Sequence, residues 1–111
     1  MPAKLLQINF KLNVATSEYA GLCQSVAQAF ATVPGLTWKI WLLNEAEKEA
    51  GGIYLFESEQ AMNGFLAGPL ASVVKNHPAL TSVSAKPFDV MEGVTAITRG
   101  PVGSARMAGV A

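Results

Sequence analysis

The chain has 111 residues, 50% of them hydrophobic and 14% charged, with eight Lys and Arg balanced by eight Asp and Glu. At this length a single core is available and two independent domains are excluded. Charge balance, with basic residues scattered singly from Lys4 to Arg106, leaves no electrostatic footprint for nucleic acid.

Cys23 is the single cysteine, so no internal disulfide and no cysteine-built metal site can form within one chain. That fits a reducing, cytoplasmic setting. Met1-Pro2-Ala3-Lys4 runs directly into a strand-like pattern, without the apolar run of a secretory signal. No stretch approaches the roughly 20 apolar residues that span a bilayer. The expectation is a soluble cytoplasmic protein with no membrane partner.

In chain order, residues 4–12 alternate: Leu6, Ile8, Phe10 and Leu12 share one face, and Gln7, Asn9 and Lys11 share the other. Thr16 or Ser17 then caps a helix with Glu18 in its first turn. Its apolar stripe is Tyr19, Leu22, Cys23, Val26, Phe30 and Val33, and Pro34-Gly35 ends it. A second strand is expected over about 36–43 and a third over about 51–56. The charged link at 44–49 between them is solvated, with Lys39 reaching Glu49 across the hairpin. Glu45, Glu47 and Glu49 read as part of that link rather than as metal ligands. Gly51-Gly52 permits a bulge or a close backbone approach.

Ser58 caps a second helix that buries Ala61, Met62, Phe65 and Leu66 before Gly68-Pro69 breaks it. A short helical piece at 70–76 closes at His77-Pro78. The last strand, about 82–90, contains Pro87, which indicates an edge position or a bulge. Residues 93–111 hold no aromatic side chain and are expected as a tail, or as an arm over a partner subunit. Residues 1–92 then form the domain.

The order βαββαβ specifies an α+β, ferredoxin-like antiparallel sheet with its helices on one face. Two helices cannot cover both faces of such a sheet. The strand carrying Trp38 and Trp41 makes water alone a poor cover for the second face, so a homodimer is expected. Being three residues apart on a strand, the two tryptophans point to opposite faces.

Gly35-Leu36-Thr37-Trp38-Lys39-Ile40-Trp41 and Glu49-Ala50-Gly51-Gly52-Ile53-Tyr54-Leu55-Phe56 resemble the YdhR family of proposed monooxygenases. Leu5-Leu6-Gln7-Ile8-Asn9-Phe10 and Ala85-Lys86-Pro87-Phe88-Asp89-Val90 extend the likeness over residues 4–92. The resemblance implies a dimeric α/β barrel of the antibiotic-biosynthesis-monooxygenase-like kind, in which two ferredoxin-like sheets pack face to face. It also implies a ligand space between each sheet and its helices. Some members of that superfamily oxygenate polycyclic aromatics with no metal, flavin or other cofactor, others degrade haem, and others bind small molecules without turnover.

Such oxygenation requires a planar substrate, removal of a proton, and exclusion of water. Trp38 and Trp41 are candidate walls, with Phe88 beside them in the substrate-binding set. Tyr54 is a candidate for a phenolic hydrogen bond, and Gln7 and Asn9 for holding a carbonyl or a peroxide. The third strand lies beside the first in this fold, which makes Tyr54 and these amides neighbours. His77, the one histidine, is the candidate base; its loop position instead suggests a solvated surface residue. Cys23, on the helical stripe, reads as a small buried hydrophobe.

The function expected is cofactor-independent monooxygenation of a small aromatic substrate by a homodimer. A non-catalytic dimeric ligand-binding or stress-associated module is the alternative. Haem degradation is a third reading, for which His77, Asn9 and Trp38 would have to converge.

Overall fold

The computed structural model describes residues 2–102. Four strands, β1 (Lys4–Leu12), β2 (Leu36–Asn44), β3 (Glu49–Phe56) and β4 (Leu80–Asp89), form one antiparallel sheet in the order β2-β3-β1-β4. Helices α1 (Thr16–Ala31), α2 (Glu59–Leu66) and α3 (Pro69–Asn76) connect them, and α4 (Glu92–Ile97) follows β4. The expected βαββαβ frame is present, with α3 inserted ahead of the last strand. Among the described residues no helix is long and apolar enough to cross a membrane.

Register assigns the two faces. Lys4, Leu6, Ile8 and Phe10 lie opposite Phe56, Tyr54, Gly52 and Ala50 of β3, so these residues share one side of the sheet. Leu6, Ile8, Phe10, Tyr54 and Phe56 form a single buried cluster with Phe30 of α1, Met62 and Phe65 of α2 and Ala71 of α3. Leu6 and Phe56 are fully buried, each worth about 2–3 kcal/mol of hydrophobic stabilisation. Helices α1, α2 and α3 therefore cover one face only.

Local signals explain most element ends. Ser58 Oγ accepts from the Ala61 N–H at 3.1 Å and caps α2 as expected, and Pro69 opens α3 at a position that needs no N–H donor. At α1 the expected cap is displaced. Ala15 is the N-cap with no side-chain bond, because Thr16 already lies inside the helix and its hydroxyl donates to Glu45 at 3.1 Å. The Lys39–Glu49 pair also does not form. Glu49 lies opposite Asn44, 3.9 Å from Lys11, while Lys39 lies opposite Tyr54 and turns to the helix side. Gly51 marks a close approach, since a Cβ there would strike the Ile8 carbonyl. Pro87 sits in β4, an edge strand whose pairing with β1 is irregular between Asn9 and Lys11.

The outer face carries a smaller cluster, Ala3, Leu55 and Val102, with Trp38 and Val90 packed on it. The chain beyond β4 returns to this face. The Trp38 indole N–H donates to the Pro101 carbonyl at 2.9 Å, and the Ala3 N–H donates to the Glu92 carboxylate at 3.3 Å. Of the segment expected as a tail, residues 93–97 belong to α4 and Val102 is buried; residues 103–111 lie outside the described residues.

Candidate functional site

An apolar cavity lies between the helix side of the sheet and α1 and α3. It measures about 110 Å³. Its sheet wall is Phe10 of β1, Lys39 and Trp41 of β2, and Gly51 and Tyr54 of β3. Tyr19, Cys23, Val26 and Phe30 of α1 close one side, their spacing of three and four residues turning them onto one helical stripe. Val73 and Val74 of α3 and His77 at its end close the other side.

The aromatic rings hold one another in place. Phe30 meets Trp41 edge-on at 5.4 Å between centroids, Tyr54 packs on Phe65 at 5.1 Å, and Phe10 meets Tyr19 edge-on at 5.8 Å. Tyr54 is only 2% exposed. Burial raises its phenol above the ordinary value, so the group is protonated at neutral pH and acts as a donor rather than a base. Tyr19 is raised likewise, by burial first and then by its hydrogen bond with Cys23. His77 Nδ1 accepts from the Ala79 N–H at 3.0 Å, which leaves Nε2 to carry the proton of the neutral ring.

Lys39 is the unexpected member. Its Nζ lies 3.4 Å from the Trp41 ring centroid, 3.6 Å from Phe30 and 4.8 Å from Tyr54. Burial lowers its pKa to about 7, opposed by a Coulombic interaction with Cys23. A signal for it existed in the sequence: Lys39 has the same strand parity as Trp41, so the two must share a face.

The structure divides the sequence-derived candidates. It brings Tyr54, Trp41 and His77 together around the cavity. Gln7 and Asn9 lie on the outer face, opposite Ile53 and Gly51, with the Gln7 amide donating to Asn9 Oδ1 at 3.0 Å. β3 does adjoin β1, but Tyr54 lies opposite Leu6, so the sheet separates the phenol from both amides. Trp38 is on the outer face, as strand parity requires, and Phe88 is there too, opposite Leu5 and 42% exposed. His77, Asn9 and Trp38 therefore do not converge. Among the described residues no three His, Cys, Asp or Glu side chains gather as a metal site requires.

A four-stranded antiparallel sheet with α1, α2 and α3 on one face is a ferredoxin-like architecture, a fold the chain shares with a "putative antibiotic biosynthesis monooxygenase" from Deinococcus radiodurans, at a TM-score of 0.64 and 14% identity over 80% of this chain and 93% of that one. Residues 5–101 match the family model described as "Putative mono-oxygenase ydhR", and the chain belongs to that family. Solved structures carry the same fold. One is NE2512, a protein of unknown function from Nitrosomonas europaea, with a TM-score of 0.69 at 17% identity over 82% of this chain and 91% of that one. Another is SnoaB, a cofactor-independent oxygenase from Streptomyces nogalater, with 0.66 at 18% over 83% and 96%. A third is a monooxygenase from Streptomyces coelicolor in complex with the ligand nanaomycin D, with 0.62 at 17% over 80% and 88%. No curated protein matches the sequence.

Proposed function

We propose that the chain is a cofactor-independent monooxygenase that oxidises a small aromatic or polycyclic molecule, and that it works as a homodimer. The observation that carries this reading is the apolar cavity, walled by Trp41 and Phe30 and holding the polar groups of Tyr54 and His77. Membership of a family described as mono-oxygenases and a fold shared with a cofactor-independent oxygenase support it.

The roles follow from the chemistry of the side chains. Trp41 and Phe30 offer ring surface to a flat substrate and exclude water. The Tyr54 phenol donates a hydrogen bond to a substrate oxygen as negative charge develops there. The substrate anion gives an electron to dioxygen, the radical pair combines at a ring carbon, and the peroxide takes up the proton that the substrate hydroxyl released, giving a hydroperoxide. Loss of water from that species leaves a carbonyl on the substrate, so one oxygen atom enters the product and the other leaves as water. In this reading His77 Nε2–H donates to the peroxide oxygen that departs and regains a proton from the ring carbon that becomes the carbonyl. Gln7, Asn9, Trp38 and Phe88 belong to the face on which we place the partner copy.

Oxygen uptake tests the reading. The purified protein is expected to consume dioxygen with polycyclic phenols or quinols, without added metal or flavin, and to release a quinone-type product. If none of these substrates supports uptake above the buffer rate, the non-catalytic ligand-binding module becomes the better account of the same cavity.

A further inference from the structure

Lysine side chains ordinarily bury their stem and carry the ammonium out to water. Lys39 does the reverse, entering a cavity of aromatic walls with its Nζ within 5 Å of three ring centroids, at 3.4, 3.6 and 4.8 Å. The passage is built into the neighbouring strand. A Cβ on Gly52 would come within 2.8 Å of Lys39 Cε and 3.3 Å of the Tyr54 ring, so the missing side chain is what lets the stem lie across the sheet. No carboxylate answers the amine: the ion pairs among the described residues use Lys4 with Asp89 and Lys11 with Glu49. The titratable groups that share its cavity are Tyr19 and Cys23 from α1, Tyr54 from β3 and His77 from the end of α3.

We propose that Lys39 is the base and the counter-cation of this cavity, and that the ligand it selects is a flat aromatic with an acidified hydroxyl group, bound as its aryloxide. The proposal rests on the reading of the cavity as the ligand site. The step is a proton transfer: the ligand O–H bond breaks, an N–H bond forms at Nζ, and no electron changes hands. With the lysine in its amine form, the transfer leaves the pocket holding an ammonium–aryloxide pair, a charge-assisted hydrogen bond among apolar walls. The lysine is poised for this because burial has brought it to about 7. Phenols near the ordinary value of about 10 are poorly matched to such a base, whereas hydroxyls conjugated with a carbonyl or nitro group match it. The same pair supplies the electron-rich anion that cofactor-free oxygenation begins from.

The test is a titration with 4-nitrophenol under nitrogen, since the aryloxide is yellow and the phenol colourless. Wild-type protein is expected to hold the probe as the yellow anion at a pH where free probe is largely colourless. Lys39→Met is expected to bind the anion at least about tenfold more weakly, while Lys39→Arg, a permanent cation, keeps the affinity for it. Circular dichroism checks that both variants fold. On the wild-type protein, acetylation of Lys39 by a small anhydride, read by mass spectrometry, is expected to proceed near neutral pH and to be blocked by the probe. Anion binding as tight in Lys39→Met as in wild type overturns the proposal, as do bound probe that stays colourless and a lysine that the probe fails to protect. The absence of oxygen makes this independent of turnover. Lys39-dependent binding without oxygen uptake from any phenol keeps this inference and removes the oxygenase reading, and uptake undiminished in Lys39→Met does the opposite.

Discussion

Lys39 and Tyr54 are register partners across β2 and β3, and both side chains turn toward the helices, the lysine Nζ standing 4.8 Å from the tyrosine ring. The pair places a base depressed to about 7 beside a phenol whose pKa is raised, one cause acting on both: burial penalises the charged form of each. Near neutral pH Lys39 is therefore divided between its amine and ammonium forms while Tyr54 keeps its proton, and an acidic ligand that gives its proton to the amine draws the lysine to the charged form.

This arrangement fixes how stability responds to pH. The folded-state value of about 7 for Lys39 lies below the ordinary 10.5, so between those values the unfolded chain binds more protons and stability rises with pH. Below about 7 both states carry the charge and the penalty is fully present; above 10.5 neither does and it vanishes. Lys39→Met is thus expected to be more stable than wild type by ~2 kcal/mol near about pH 6, a figure discounted for the partial exposure of the amine, with the advantage fading by about pH 10. Urea denaturation across that range checks it, and a difference independent of pH would mean that the burial of the charge is not felt.

The sheet itself separates two sets of candidates, and turnover can tell them apart. Tyr54→Phe removes a donor from the cavity and is expected to lower kcat/KM for oxygen uptake by roughly 10- to 100-fold, the worth of one hydrogen bond to a developing anion. Asn9→Ala changes the outer face, with an expected effect below about threefold, because no contact carries it to the cavity side. Uptake that falls with Asn9→Ala and survives Tyr54→Phe would move the reacting centre to the other side of the sheet.

Much of this was legible in the chain because it is local. The period of two in residues 4–12 assigned the core face of β1, and the Ser58 side chain announced the start of α2. Trp38 and Trp41 diverge as parity demands. What could not be read depends on another element. Thr16 looked like a cap because its contact with Glu45 spans the molecule. Tyr54 and Asn9 looked like neighbours because strand order alone does not give register, and it is the Leu6–Tyr54 pairing that parts them. Parity with Trp41 gives the face of Lys39, but its reach across the sheet depends on the missing side chain of Gly52 on a different strand, which the β2 sequence does not mark.

Gly52 gives a direct test of that dependence. Gly52→Ala puts a methyl group within 2.8 Å of Lys39 Cε and 3.3 Å of the Ile40 carbonyl. The lysine stem is flexible and yields first, so the amine is expected to leave the aromatic cavity and its pKa to rise from about 7 back toward 10.5. Acetylation of Lys39 as a function of pH would follow this as a profile displaced to higher pH. The fold is expected to tolerate the change at a cost of ~1–2 kcal/mol, since the backbone oxygen must also give slightly. An unchanged profile would show that the glycine is not what admits the lysine.

The proposed homodimer can be tested on the outer face, which is too apolar to be an ordinary surface. Ile40 is 51% exposed and lies opposite Ile53, and Phe88 occupies the other edge of the sheet. Helix α4 is tied to this side by the hydrogen bond between Ala3 and Glu92, and it leaves Val94 and Ile97 exposed three residues apart on one flank. Two such faces packed together would remove about 800 Å² per subunit from water, enough for a stable dimer. Ile40→Asp sets a carboxylate into that contact, where burial of an unpaired charge costs several kcal/mol. Because the residue is half-exposed in the single chain, the fold is expected to persist with an unchanged circular dichroism spectrum. Light scattering after size-exclusion chromatography should then give twice the chain mass of 11.7 kDa for wild type and that mass itself for Ile40→Asp. A wild-type protein that already runs at the single-chain mass at high micromolar concentration would end the homodimer proposal, and its exposed face would need a different partner.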